Sequence, residues 1–275
     1  MKRFVSAGRL LGLAFALTVV PTGLSPAFAD DLGFTDTPML PGGKWHVHDP
    51  ARPHPPIVTP GRTASDAPSD AIVLFDGTSL NAFTTADGKP ADWTLADGAM
   101  TVPHREGPHG DGNLKTRQAF GDMQLHLEFR EPAAVSGTSQ NRGNSGVIIM
   151  GQYEVQVLDS YDNVTYADGQ ASAIYAWKPP LVNASRKPGE WQSYDIIFER
   201  PHFDSSGKVV KPAYVTVLHN GVLTQNHQQI LGKTDWKTLA TYHPHADELP
   251  FTLQDHGAAV SYRNIWVRRL KPAED

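Results

Sequence analysis

Cysteine is absent from all 275 residues, so no disulfide framework is available and the fold must be held by a packed core. A sustained amphipathic helical period is missing as well, and so is any internal repeat. Past residue 20, no apolar run reaches the length that crosses a bilayer, which gives no support to membrane insertion. Positive charge is also in short supply. Against 24 Lys and Arg stand 29 Asp and Glu, a formal net charge of −5 with His neutral. That balance gives no support to a nucleic-acid or anionic-membrane partner.

What is present begins with Lys2, Arg3 and Arg9, then the apolar run 10–20, then Ala27-Phe28-Ala29. This is the pattern of a secretory signal peptide over residues 1–29, with cleavage expected after Ala29. The run is too short for a membrane anchor, and no Cys follows it to carry a lipid. Its removal takes away three cations and no anions, moving the net charge from −5 to −8. A periplasmic or secreted protein is therefore expected. Residues 30–70 carry many of the prolines (PGGKWHVHDPARPHPPIVTPG), show no sustained period, and are expected to form an extended arm. His46-x-His48-Asp49 has the outline of a metal cluster, yet Trp45 and Val47 suggest a short strand with the histidines facing water.

From 71 to 272 the chain becomes short strands punctuated by Gly, Asp and Asn turns. The clearest alternation runs over 123–130. Met123, Leu125, Leu127 and Phe129 form one face; Gln124, His126, Glu128 and Arg130 form the other. A loop over 131–142 leads to two apolar runs, 146–150 and 153–158, joined by a Gly151-Gln152 turn signal and expected to pair as a hairpin. In the second run Val155 and Val157 project to one side, Glu154 and Gln156 to the other. Further strands are expected over 191–199, 213–218, 222–224, 251–254 and 260–270, with His219-Asn220-Gly221 as a hairpin turn. Many short strands at regular spacing predict an all-β fold, a jelly-roll β-sandwich of two antiparallel sheets with its ends close together.

The alternation also predicts a site. One wet, concave sheet face would collect His126, Glu128, Arg130, Glu154, Gln156, Gln254 and His256. Such a face offers acids, a base, a cation and amides for sugar hydroxyls, with Tyr175, Trp177 or Trp45 as aromatic platforms. A saccharide is the expected partner.

Seven stretches in order resemble the bacterial 3-keto-disaccharide hydrolase domain, also described as a 3-keto-glucoside 1,2-lyase and hydratase. They are LFDGTSLNAF (74–83), LHLEFREP (125–132), NRGNSGVIIMGQYEVQVLDS (141–160), AIYAWKPP (173–180), GEWQSYDIIFE (189–199), LHNGVL (218–223) and LQDHGAAVSYRNIWVRRL (253–270). The arm resembles the leader of one branch of that family. The segment PHFDSSGKVVKPA after Arg200 is longer than the family's usual turn. The resemblance implies a concanavalin A-like jelly roll.

The chemistry implied by the resemblance starts from a ketone at C3, which acidifies the C2 proton because the resulting enolate is resonance-stabilised. The glycosidic oxygen on C1 then leaves by elimination, and water adds to the glucal product. This requires a base near C2, donors or positive charge at the O3 enolate, and an acid for the leaving oxygen. On that basis His256 or Glu154 is the expected base, and His126, Arg142 or a metal the enolate stabiliser. Gln156, Asn144 and Gln254 are the sugar-binding amides, with Glu128, Arg130 and Tyr175 as further substrate contacts. A divalent cation such as Ca²⁺ or Mn²⁺ would draw on Glu154, Asp159 or His256.

Two other classes fit parts of the pattern. Glu154-x-Gln156-x-x-Asp159 resembles the acidic strand of laminarinase-like retaining hydrolases, with Gln in place of the middle Asp. That class needs the two carboxyls about 5–5.5 Å apart. A non-catalytic carbohydrate-binding module would need the amides and aromatics, but no general base. The grouping of His256, Glu154 and His126 favours an enzyme.

Overall fold

The computed structural model describes residues 32–103 and 112–270. The expected signal peptide lies outside the described residues. The chain divides into two compact units, with the boundary between Pro56 and Ile57. In the first unit, Met39 and His46 form an antiparallel bridge, and His46 turns its Nδ1 onto the Thr37 carbonyl at 2.5 Å. A short extended pairing therefore sits where Trp45 and Val47 suggested a strand.

The second unit is a β-sandwich. Its strands begin with β1 (Ile72–Phe75), β2 (Phe83–Thr85), β3 (Thr94–Ala96), β4 (Ala99–Thr101) and β5 (Leu114–Thr116). Next come β6 (Met123–Arg130), β7 (Ser145–Ile149), β8 (Tyr153–Val157), β9 (Gln192–Glu199), β10 (His202–Phe203) and β11 (Val209–Lys211). The series ends with β12 (Tyr214–His219), β13 (Val222–Gln229), β14 (Thr252–Leu253) and β15 (Ser261–Arg269). One sheet runs β13-β12-β9-β6-β15-β4-β3, with β1 also pairing with β15; the other runs β2-β5-β14-β7-β8. All the named pairings are antiparallel, and the first and last strands of the sandwich meet, as expected. The long segment after Arg200 folds into the small β10–β11 hairpin.

Period-two alternation builds the core. Met123, Leu125, Leu127 and Phe129 are fully buried between the sheets, against Tyr194, Ile196 and Phe198 of β9 and Val147, Val155 and Val157 of the facing sheet. Burying a side chain of this size contributes about 1.5–3 kcal/mol, so loss of alternation in β6 alone would unfold the unit. The β12–β13 turn has Asn220 and Gly221 at φ +53° and +77°, the left-handed geometry that two-residue hairpins require.

One expectation fails. Strands β6 and β8 do not share a sheet: β6 lies at the centre of the larger sheet and β8 at the edge of the smaller. Alternation fixes which side of a strand faces the core, but the outward sides of two facing sheets point in opposite directions. The single polar face predicted from sequence is thus two faces, on opposite sides of the sandwich.

Candidate active site

Neighbouring antiparallel strands place chain ends together. The end of β14, the start of β7 and the end of β8 lie at one edge of the smaller sheet, since Leu253 pairs with Val147 and Val157 with Ser145. In the larger sheet the end of β6 meets the start of β15, where Arg130 pairs with Ser261. The residues just beyond these ends enclose a cavity of about 350 Å³, lined by Glu131, Arg142, Asn144, Asp159 and His256 among others. That volume is within the range of small-molecule sites.

Within the cavity wall, Arg142 Nε donates to Asp159 Oδ2 at 2.6 Å, and Nη2 donates to the Tyr161 carbonyl at 2.8 Å. A longer bond of 3.3 Å runs from Nη1 to the Asp162 carbonyl, so two of the five guanidinium N–H groups remain for a ligand. Asn144 Nδ2 donates to the Gln140 carbonyl at 2.7 Å. Gly143 has φ +58°, and a Cβ there would stand 2.9 Å from Glu131 Cγ and 3.0 Å from Asp159 Cβ. Only glycine fits between those two acids.

Glu131 is 1% exposed, and both of its carboxyl oxygens accept from Gln192 Nε2, at 3.0 and 2.8 Å. Burial is the main cause that pushes its pKa up to about 8. The Asp159 charge adds to the rise, while its own backbone N–H, Gln192 and Arg142 oppose it. Glu131 is therefore a protonated acid at neutral pH, as suits a proton donor.

Beside the cavity, the outward face of the smaller sheet carries Glu154, Gln156 and Gln254. The Glu154 carboxyl lies over Gly146, where a Cβ would come within 2.3 Å of its Oε1. At 9% exposure it is buried, and burial pushes its pKa up to about 8 as well. Gln156 is 1% exposed and reaches Gln140 Oε1 at 3.0 Å. With its amide turned over, the nitrogen meets the Ser145 carbonyl at 2.9 Å and Glu154 Oε1 at 3.1 Å. Gln254 Oε1 is buried and has no hydrogen-bond partner. Tyr175 donates its backbone N–H to the Glu154 carbonyl, and its hydroxyl sits 2.9 Å from that of Tyr166. This group is drier than expected, because Gln140 packs onto Gln156 instead of leaving the strand face open. Through its carbonyl to Asn144 and its side chain to Gln156, Gln140 joins this face to the cavity.

The remaining sequence-selected residues lie on the other side of the sandwich. His126 is 1% exposed, stacked on Trp266 at 5.1 Å between ring centroids, with Nδ1 2.7 Å from Asp195 Oδ1. Glu128 pairs with Arg263 at 2.6 Å and accepts from Asn264 at 3.0 Å. Arg130 stacks over Trp191, its guanidinium carbon 4.6 Å from the ring centroid. Asn264 and Trp266 both donate to the Ser65 carbonyl, which pins the segment before β1 across this face. His126, Glu128 and Arg130 are thus part of the packing of the larger sheet, and none of them lines the cavity. Trp177 donates to the Gln229 carbonyl and packs on the core.

Among the described residues the metal expectation finds no fit. Asp159 is held by a guanidinium at 2.6 Å, and among the described residues no group of three His, Asp or Glu side chains is placed to hold an ion. A signal for Glu131 did exist in the sequence. It continues the core-facing phase of Met123, Leu125, Leu127 and Phe129, so a carboxyl was due on the buried side of the strand. Gln192 and His219 carried no local signal.

Residues 70–268 match the family described as a 3-keto-alpha-glucoside-1,2-lyase-like domain. A search of curated proteins found no match. Among solved structures, a Parabacteroides distasonis protein provisionally described as a glycosyl hydrolase is 44% identical, with a TM-score of 0.76. The alignment covers 85% of this chain and all of that one. A second P. distasonis protein with the same description is 17% identical, with a TM-score of 0.53 over 74% of this chain and 94% of its own, and is similar in fold alone. The fold is a β-sandwich of two antiparallel sheets with a small accessory hairpin.

Proposed function

The chain belongs to the 3-keto-α-glucoside-1,2-lyase-like family and is a carbohydrate-active enzyme acting on glycosides, and from that premise we propose that it cleaves 3-keto-glycosides by elimination. The observation that carries the reading is one cavity in which His256, Arg142 and Asn144, all selected from sequence, meet the protonated acid Glu131. His256 takes the C2 proton. The enolate oxygen on C3 is held by the remaining N–H groups of Arg142, whose orientation Asp159 fixes. As the C1–O1 bond breaks, Glu131 protonates the departing oxygen, releasing an alcohol and a 2-hydroxy-glucal bearing the 3-ketone. Water then adds across C1 and C2, placing OH on C1 and H on C2, so the net change is a hydrolysis. Asn144 supplies an amide for the sugar, and Gln156, Gln254 and Tyr175 on the adjoining face suit the leaving-group half.

Glu154 at a pKa of about 8 is a donor at neutral pH rather than the base, which leaves that role to His256. The laminarinase-like pairing of Glu154 with Asp159 has little support. Asp159 is tied to Arg142 in the cavity wall, whereas the Glu154 carboxyl lies over Gly146 on the sheet face. A different glycosidase pairing has one observation in its favour: Glu131 and the Arg142-paired Asp159 flank the same glycine.

Incubation with a 3-keto-glucoside beside its unoxidised parent decides between these readings. Elimination predicts release of the leaving group from the keto-sugar alone, and His256→Ala lowering kcat by roughly 10²–10⁴-fold with KM little changed. Equal cleavage of the parent glucoside would sink the lyase reading.

A further inference from the structure

Gln192, at the start of β9, joins two buried groups. Its Oε1 accepts from the Arg186 backbone N–H at 2.8 Å, from His219 Nε2 at 2.8 Å and from Asn220 Nδ2 at 3.2 Å. A backbone N–H only donates, so this atom is the amide oxygen and the side chain has one orientation. The nitrogen is then directed at Glu131, touching both carboxyl oxygens. The same logic assigns the His219 tautomer: Nε2 carries the hydrogen, and Nδ1 is a buried acceptor with no partner. The His219 ring packs against Phe129 and Tyr194. Burial, with the Arg186 charge adding, pushes its pKa down to about 3, so it is neutral at any working pH and carries no proton to Glu131.

We propose that Gln192, locked by His219 and the Arg186 backbone, is a positioning residue that aims Glu131 and sets how readily it releases its proton to the substrate. This rests on the reading of Glu131 as the proton donor. An N–H shared between both carboxyl oxygens favours the carboxylate left after transfer, in a place too dry for water to do so. Arg142 and Asp159 face Glu131 from the cavity wall, His256 lines the same cavity, and the phenols of Tyr194 on β9 and Tyr262 on β15 lie within reach of its charge. Among the described residues, the side chain that hydrogen-bonds the carboxyl is Gln192.

The test replaces the amide and titrates the carboxyl directly. Gln192→Leu removes the donor; Gln192→Asn draws it back while keeping the amide, and serves if the Leu variant, with the His219 and Arg186 donors unmet, fails to fold. Infrared difference spectra against Glu131→Gln isolate the Glu131 carboxyl in each protein. In a folded Gln192 variant its titration should move up by about one pH unit, the size of a lost hydrogen bond to a charged group. The alkaline limb of kcat/KM for a 3-keto-glucoside should move up with it, and the plateau kcat should fall because a weaker acid remains. An unmoved carboxyl titration in either folded variant overturns the proposal. A titration that moves while the kinetic limb stays fixed overturns instead the assignment of Glu131 as proton donor.

Discussion

Replacing Glu154 by Gln should change how stability responds to pH. Glu154 is buried over Gly146, and its pKa is pushed up from the ordinary 4.5 to about 8. A carboxyl whose folded pKa lies above its unfolded one stabilises the protein when protonated. That contribution is complete below about pH 4.5, declines as pH rises, and is lost by the time pH passes about 8. Integrating those two values between about pH 5 and pH 7.5 gives a loss of roughly 3 kcal/mol in the native protein. Glu154→Gln keeps the shape and a donor but has nothing to titrate, so it does not share the loss. Its stability relative to the native chain should therefore rise by roughly 3 kcal/mol over that interval, whatever fixed offset the amide introduces. Urea denaturation of both proteins at the two pH values measures this, and Glu131 contributes equally to both. Stability curves that stay parallel would refute the burial of Glu154 as a protonated acid.

Gly143→Ala should destabilise the protein by about 1–3 kcal/mol in thermal or urea melts, from its positive φ and the clash with Glu131 and Asp159, and should reduce turnover by distorting the cavity. His126→Leu should lower stability by about 1–3 kcal/mol through loss of the Asp195 bond, with kcat/KM for a 3-keto-glucoside unchanged within about threefold; a collapse of kcat in a folded variant would return His126 to the reaction. We propose that the chain is exported, so mass spectrometry of the native protein should find Asp30 at its N-terminus; an intact Met1 would contradict this.

The strands were legible because period two leaves its mark on almost every element. The buried Met123, Leu125, Leu127 and Phe129 lie where alternation put them, and Asn220-Gly221 turns the chain as its composition predicts. Sheet membership was not legible. Nothing local distinguishes a strand of the larger sheet from one of the smaller, so His126 and Glu154 were joined on one face when long-range pairing sets them on opposite sides. Part of the site was visible because Arg142, Asn144 and His256 sit just beyond strand ends that converge. Glu131 was hidden because it lies one residue past the end of β6, where the core-facing phase carries on but the strand does not. Gln192 and His219 owe their roles to contacts between β9, β12 and the end of β6, which no local period records.

Proton removal from C2 is the step on which the account stands. A 3-keto-glucoside deuterated at C2 measures it when cleaved beside the unlabelled sugar in ordinary water. The account predicts slower cleavage of the labelled sugar, through a primary isotope effect, with the effect abolished together with turnover in His256→Ala. It also predicts that the unoxidised glucoside, whose C2 hydrogen is not acidic, is inert. Equal rates for the labelled and unlabelled sugars, C2 deuterium fully retained in the product, and ready cleavage of the plain glucoside would contradict it.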